Sequence, residues 1–320
     1  MSAPLISILI NNYNYARFLN AAIDSALNQD YSTAEVVVVD DGSTDNSRDV
    51  ILSYGDRIRP IFKVNGGQAS AFNAGIAASR GELLCFLDSD DVFRVSKVSR
   101  VAETFIRHGL NSKPMMVHHL ATVMNEVGDD VDGVVGKVHA SPKNLYQFAK
   151  RHRFVEFEAG PTSTIAINRK LACRLFPIPE PGFRILADNF IVFGAFLVAE
   201  VYSMTDRLVG YRIHGKNNWN NWANTEYKKP PEFLSIVENY LNAKLVENGL
   251  APVIDFDDSI YAWRGLVTER RWFKLAAHML KVSIRDHDRY TAYFIRHTLM
   301  TVGARVRRDL KAWLDKAETQ

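Results

Sequence analysis

The sequence predicts an α/β protein, a mainly parallel sheet flanked by helices and followed by a C-terminal helical extension. Three observations carry that prediction. Over the first hundred residues, apolar runs of strand length alternate with helical patterns, the signature of successive βαβ units. The polar residues of that half gather just after each apolar run, where open parallel sheets place their ligands. Beyond Lys228–Pro231 the pattern turns wholly helical.

In order along the chain, Leu5 to Ile10 is a short apolar run, and Leu19, Ala22, Ile23, Ala26 and Leu27 then recur at helical spacing. Glu35 to Val39 reads as the second strand, Ser47 to Tyr54 as a helix, Ile58 to Lys63 as the third strand, Gln68 to Ser79 as a helix and Glu82 to Leu87 as the fourth strand. The second half is more mixed. A strand is predicted over Met115 to Met124, a Gly/Asp-rich turn over Gly128 to Gly133, and a helix around Asn144 to Lys150. A further helix over Asp188 to Val198 and a strand over Leu208 to Ile213 complete it. The expected division is a larger domain over residues 1–229, in two halves (1–100 and 101–229), then a helical region over 230–320.

Composition excludes several classes. The 320 residues are 47% hydrophobic and 23% charged, without repeats or low-complexity stretches, as in an ordered globular protein. The two cysteines, Cys85 and Cys173, lack any metal-ligand or CxxC spacing and read as reduced thiols packed in a core. Met1 to Leu9 shows no basic segment leading into a long apolar one, and the longest apolar run, Phe190 to Ala199, is ten residues, about half a membrane span. A cytoplasmic protein is expected, without a transmembrane helix. No GxxxxGK[ST] loop is present and no GxGxxG follows the first strand, which removes the main support for kinases and dinucleotide oxidoreductases.

Chemistry concentrates at four strand ends. Asn11, Asn12, Tyr13 and Asn14 follow the first strand, Asp40 and Asp41 the second, Asn65 to Gln68 the third, and Asp88, Ser89, Asp90 and Asp91 the fourth. Three carboxylates in four residues at the end of a buried strand call for a cation. An oxygen-rich cluster of this kind suits Mg²⁺ or Mn²⁺, ions that take one or two protein carboxylates and complete their shell with phosphate oxygens and water. A nucleotide diphosphate follows. A helix N-terminus also attracts Asp, and capping explains Asp91 as well as catalysis does, but a cap needs one carboxylate and not three. Ser43 and Asp45 read more simply as caps of the next helix. Gly67 and Asn73 stand where chain and helix approach the nucleotide pocket, although a glycine pair also serves an ordinary turn.

Taken together, Ser7 to Asn14 (SILINNYN), Val36 to Ser47 (VVVVDDGSTDNS), Asn65 to Gly75 (NGGQASAFNAG) and Gly81 to Asp91 (GELLCFLDSDD) resemble the ordered motifs of family 2 of the nucleotide-sugar glycosyltransferases. The resemblance implies the GT-A fold, a divalent metal (Mn²⁺ or Mg²⁺), a nucleotide-sugar donor, here expected to be UDP-linked, and inversion at the anomeric carbon. It implies that Tyr13 flanks the nucleobase, Asp41 reads the imide edge, Asp88 holds the ribose and Asp90 binds the metal. At Asn11, also a candidate donor-binding residue, the family usually carries Pro or Thr. An inverting transfer needs a base for the acceptor hydroxyl. Where the family commonly has a Glu-Asp pair opening a helix, this chain has Ala187-Asp188, making Asp188 the candidate base and a helix cap the alternative. Tyr211 to Gly215 resembles the segment after the last strand of the catalytic domain. There Arg212 is a candidate for the diphosphate and His214 for the metal. Trp219 and Trp222, in a stretch rich in amides, are candidates for stacking on the acceptor.

The expected partners are thus a nucleotide-sugar donor and a saccharide or lipid-linked acceptor, in polysaccharide or cell-envelope glycan synthesis. A sugar-nucleotide-binding protein without transfer activity and a nucleotidyltransferase remain the alternatives. Residues 259–320 hold 13 Lys/Arg against 6 Asp/Glu, a net +7, while the rest of the chain carries −4. Ile295, Leu299, Val302, Val306, Leu310 and Trp313 fall on one helical face of this basic region. Such a face packs on the core, on a second subunit in a homo-oligomer, or peripherally against the inner face of a membrane. No nucleic-acid-reading module accompanies the charge, so nucleic acid is not an expected partner.

Overall fold

A computed structural model describes residues 3–156, 159–180, 186–215, 232–259, 262, 272–286, 288–296, 298–300 and 303. The first half runs β1 (Ile6–Asn12), α1 (Ala16–Leu27), β2 (Ala34–Asp40), α2 (Ser47–Ser53), β3 (Arg59–Phe62), α3 (Gln68–Ala78) and β4 (Leu83–Asp88). After it come β5 (Val92–Phe93), α4 (Lys97–Arg107), β6 (Met115–Met124), β7 (Asp130–Val135), α5 (Tyr146–His152), β8 (Ile165–Asn168), α6 (Arg169–Leu175), α7 (Asp188–Val198), β9 (Glu200–Arg212), α8 (Phe233–Glu247) and α9 (Trp272–Asp286).

The strands form one sheet in the order β3-β2-β1-β4-β8-β6-β9-β5, with β7 paired to β6. Within the first half every pairing is parallel, β1 lying between β2 and β4. β8 then runs antiparallel to both β4 and β6, whereas β9 runs parallel to β6. Chain order reverses direction across the sheet between β1 and β4, the switch point at which ligands bind in open α/β sheets. The register aligns Asn12 with Asp40 and Asn11 with Asp88. Four strand ends therefore meet by pairing alone.

The strands are held by fully buried Ile6, Ile8, Ile10, Val38, Leu83, Cys85 and Leu87, packed on Leu19, Ala22 and Ile23 of α1. Cys173, by contrast, is exposed. α7 is buried on all sides from Phe190 to Val198, so the ten-residue apolar run is a core helix. No helix among the described residues is long and apolar enough to cross a membrane. The strands β5, β7 and β8 and the helices α4 and α6 have no counterpart in the sequence reading, and β9 begins eight residues before the predicted Leu208. β7 is polar and exposed, β5 and β8 are two and four residues long, and the first part of β9 mixes Ser, Thr and Asp. Periodicity is weak in all of them.

The chain forms two compact units, Met1–Tyr146 with Glu156–Pro252, and Gln147–Val155 with Val253–Gln320. The expected division falls at residue 229, yet α8 packs within the first unit, where Tyr240 meets Phe190 edge-on and its hydroxyl donates to the Leu175 carbonyl at 2.7 Å. In the second unit, His152 lies between Asp286 and Asp288, with Nε2 3.1 Å from the Asp288 carboxylate, while Arg285 pairs with both Asp286 and Asp258.

Candidate active site

The loops after β1 and β2 are tied together by side chains. Asn12 donates from Nδ2 to Asp40 Oδ1 at 2.8 Å and to Ser43 Oγ at 3.1 Å. Asn14 sits in the left-handed region at φ 59°, a conformation Asn tolerates, and its Oδ1 accepts from Thr44 N at 2.7 Å. Asp45 accepts from Ser47 N at the start of α2 and from Ala16 N at the start of α1, whereas Ser43 serves the Asp40 and Asn12 side chains rather than a helix end. Tyr13 is 42% exposed at the mouth. Both polar atoms of the Asn11 amide are buried without a hydrogen-bond partner among the described residues. In the β1–β4 register this amide stands beside Asp88 at the switch point.

Asp41 is buried and heavily engaged. Lys63 Nζ lies 2.6 Å from Oδ1, Gly66 N donates to Oδ1 at 3.0 Å and Gly67 N donates to Oδ2 at 2.7 Å. It anchors the glycine loop against the N-terminus of α3, where a negative charge is favoured. Asn73 is also occupied, its amide bonding Ile178 O and Glu180 and its carbonyl accepting from Ile178 N.

The acidic cluster after β4 is built differently. Asp91 accepts from Arg212 N at 2.9 Å, and the Arg212 guanidinium donates to the carbonyls of Asp90 at 2.7 Å and Glu126 at 2.8 Å. Arg212 is 4% exposed and thereby frames the cluster from behind. His214 Nε2 lies 3.0 Å from Asp90 Oδ2, and Arg17 Nη2 is 3.4 Å from its Nδ1. Because arginine only donates, Nδ1 is the acceptor and Nε2–H faces Asp90. Asp90 is thereby the carboxylate offered to an oxygen-preferring cation, whereas His214 Nε2, protonated in this arrangement, would ligate one only with its proton moved to Nδ1, the nitrogen that now accepts from Arg17. No cluster of three or more His, Cys, Asp or Glu side chains placed for a metal occurs among the described residues, and Mg²⁺ or Mn²⁺ does not need one. Burial, then the charges of Asp90, Asp91 and Asp188, push the Asp88 carboxyl well above its ordinary range. Burial and the Asp90 charge do the same to Asp91. The Tyr15 phenol, packed near the His214 ring, is also pushed up by burial and by Asp90 and Asp88.

Across from this cluster is Asp188, the first residue of α7. Leu186 before it takes φ 66°, a left-handed value costing a branched residue about 1–3 kcal/mol. The turn is held by Gln68 Oε1 accepting from Ala187 N at 2.9 Å and by Asn189 Nδ2 donating to Leu186 O at 2.9 Å. Burial raises the Asp188 carboxyl to about 6, against the opposing effect of backbone N–H groups at the helix start and of the Thr162 hydroxyl. The same hydroxyl reaches Asp88. Next to it, Ser163 Oγ accepts from Asp88 N at 3.0 Å. Thr162 to Thr164 form one 3-10 turn entering β8, and sequence reasoning missed this turn. Its only local signal is three hydroxyls in succession.

Asp88, Asp90, Asp91, Asp188, Arg212 and His214 are thus brought together, with Asn11 at the adjoining strand end. Asp41 and Asn73 lie at either end of the glycine loop and its helix, spent on protein partners. Trp219 and Trp222 lie outside the described residues.

With this geometry in place, the comparisons identify the class. The profile described as Glycosyl transferase family 2 matches residues 7–112. An uncharacterized glycosyltransferase of Nostoc is 35% identical over 268 residues, covering 80% of each chain. The chain belongs to glycosyltransferase family 2 and is a glycosyltransferase. The chondroitin synthase of Pasteurella multocida is 31% identical over 253 residues, 77% of this chain and 24% of the synthase. Among solved structures, Staphylococcus aureus TarS 1-349 in complex with UDP-GlcNAc superposes with a TM-score of 0.59 at 14% identity, covering 95% of this chain and 92% of that one, a likeness of fold.

Proposed function

We propose that this glycosyltransferase is inverting and metal-assisted, moving a sugar from a UDP-linked donor onto a saccharide or lipid-linked hydroxyl in polysaccharide or cell-envelope glycan synthesis. The observation that carries the reading is the acidic cluster at the end of β4, tied to Arg212 and His214, with Asp188 close enough that its charge raises the Asp88 carboxyl and with burial raising its own. A base poised near neutrality beside a donor-side acidic cluster is what the transfer requires. The UDP-GlcNAc held by TarS and the polymer-forming name of the Pasteurella relative support the donor and product classes.

In this reading Asp188 takes the proton of the acceptor hydroxyl as its oxygen bonds to the anomeric carbon. The anomeric carbon–oxygen bond to the diphosphate breaks, and the electron pair leaves with the nucleoside diphosphate. Asp90, and His214 with its proton moved to Nδ1, would hold the divalent ion, which supplies positive charge for that leaving diphosphate. Arg212 fixes the Asp90 backbone, Asn11 offers an unpaired amide to the donor, and Tyr13 flanks the base. Asp41 shapes the glycine loop beneath it. The basic C-terminal region fits peripheral contact with an anionic membrane.

Incubating the protein with Mn²⁺ and a panel of nucleotide sugars, and measuring nucleoside diphosphate release with and without saccharide acceptors, tests this. Release from UDP-sugars that rises with acceptor is expected. Tight UDP binding with no turnover would show a sugar-nucleotide-binding protein instead.

A further inference from the structure

Beneath the Thr162–Ser163 turn lies a lysine that the transfer reading leaves without a task. Lys97, the first residue of α4, is fully buried, and its Nζ donates to Ser163 O at 2.6 Å. His119 Nε2 lies 3.1 Å from the same nitrogen, and the His119 Nδ1 proton goes to Leu120 O at 2.8 Å, so Nε2 accepts from the lysine. The ammonium also stands 4.0 Å over the Phe93 ring. A buried ammonium is costly unless well satisfied, and a hydrophobic residue of similar volume would often serve stability as well or better. Its contacts aim at one place. Ser163 supplies the carbonyl that Lys97 grips and the hydroxyl that accepts from Asp88 N. The preceding Thr162 hydroxyl lies close enough to Asp88 and Asp188 to favour the charged form of each. One turn thus holds the Asp88 backbone through Ser163 and lies against Asp88 and Asp188 through Thr162, and one buried cation grips it at the Ser163 carbonyl.

We propose that Lys97, seated on His119, is a positioning residue for the transfer: it clamps the Thr162–Ser163 turn so that Asp188 and the donor-side carboxylates keep a common geometry. The inference rests on the reading of Asp188 as base. Displacement of a reacting group by about 1 Å can cost about 10²-fold in rate, so a loosened clamp acts on turnover more than on binding.

The test compares Lys97→Met, Thr162→Val, Thr162→Ser and the double variant Lys97→Met/Thr162→Val with wild type. The measurements are kcat with the nucleotide sugar that gives the fastest diphosphate release, the dissociation constant of UDP with Mn²⁺, and the pH profile of kcat/KM. Lys97→Met and Thr162→Val are each expected to lower kcat about 10- to 100-fold with UDP affinity within about threefold. Thr162→Val, having lost the hydroxyl that favours the charged Asp188 carboxylate, moves the acid limb to higher pH, and Thr162→Ser restores both rate and limb. Because Lys97 acts through the turn, the double variant is no slower than the slower single variant. A folded Lys97→Met with wild-type kcat, or fully additive losses in the double variant, overturns the proposal. If Lys97→Met does not fold, Lys97→Leu, which also removes the donor, is held to the same outcomes. Asp188→Asn in parallel separates the readings: wild-type turnover there removes the base assignment, whereas a slow Asp188→Asn beside a fast Lys97→Met removes only the clamp.

Discussion

The carboxylates at the end of β2 and those gathered around the end of β4 occupy opposite surroundings a few residues from parallel strand ends. Asp41 has an ammonium and two backbone amides of its own, and Asp40 has Asn12 and Ser43. Asp88, Asp91 and Asp188 are held mainly by hydroxyls and amides, and burial pushes each carboxyl upward. Charge matched within the protein makes scaffold, whereas charge left in excess draws cations and protons. The glycine loop is therefore the rigid side of the site, and the Asp88–Asp188 side is where chemistry has something to act on.

The sharpest way to break this contrast is Asp188→Asn. It keeps size and most hydrogen bonding but takes no proton, so turnover should fall about 10² to 10⁴-fold with donor affinity nearly intact. A capping role would instead cost about 1 kcal/mol of stability and spare the rate. A rate within a few-fold of wild type with a lowered Tm would move the search for the base to Glu156 or, outside the described residues, Glu158.

Asp90→Asn should come next, removing most activity and weakening Mn²⁺-dependent UDP binding about 10- to 100-fold while the fold survives. Titration calorimetry with and without Mn²⁺ reads this directly, and unchanged Mn²⁺-dependent binding and turnover would defeat the metal assignment.

A smaller effect lies in pH. Asp188 must be ionised to accept a proton, so kcat/KM should fall about tenfold per unit as pH drops below about 6, and the limb should vanish in the residual activity of Asp188→Asn. A profile flat down to pH 5 would place another group in that role.

Asp41→Asn should matter least to the reaction. Losing the charge that faces Lys63 and the glycine amides should cost about 1–3 kcal/mol, seen as a lower Tm, with UDP affinity within about threefold. A loss of UDP affinity beyond tenfold at unchanged Tm would instead make Asp41 a direct reader of the nucleobase.

Much of this was legible in the chain itself. Four strands with polar ends, the acidic cluster after β4 and the helix opening at Asp188 follow from local periodicity and from residue types that apolar strands exclude. The register that places Asn11 beside Asp88 joins two strands that are not consecutive, and the sheet rather than the local sequence decided it. Other parts left almost no local mark. Lys97 begins the buried stripe Lys97, Val98, Val101, Ala102 and Phe105, and a lysine on an apolar helix face is the one clue to its burial. Asn73 looks like a pocket residue until Ile178 and Glu180 close on it.

The sequence by itself determined the class of sheet, the strand ends on which carboxylates collect and the family whose ordered motifs they form, because each depends on neighbours within one or two elements. Only the tertiary structure decided which carboxylates are matched and which are in excess. His214 reaches Asp90 across 124 positions of chain, and Lys97 reaches Ser163 across 66. Hydrogen bonding and desolvation act through space at about 3 Å, and periodicity along a chain carries no record of which distant loops a fold brings that close.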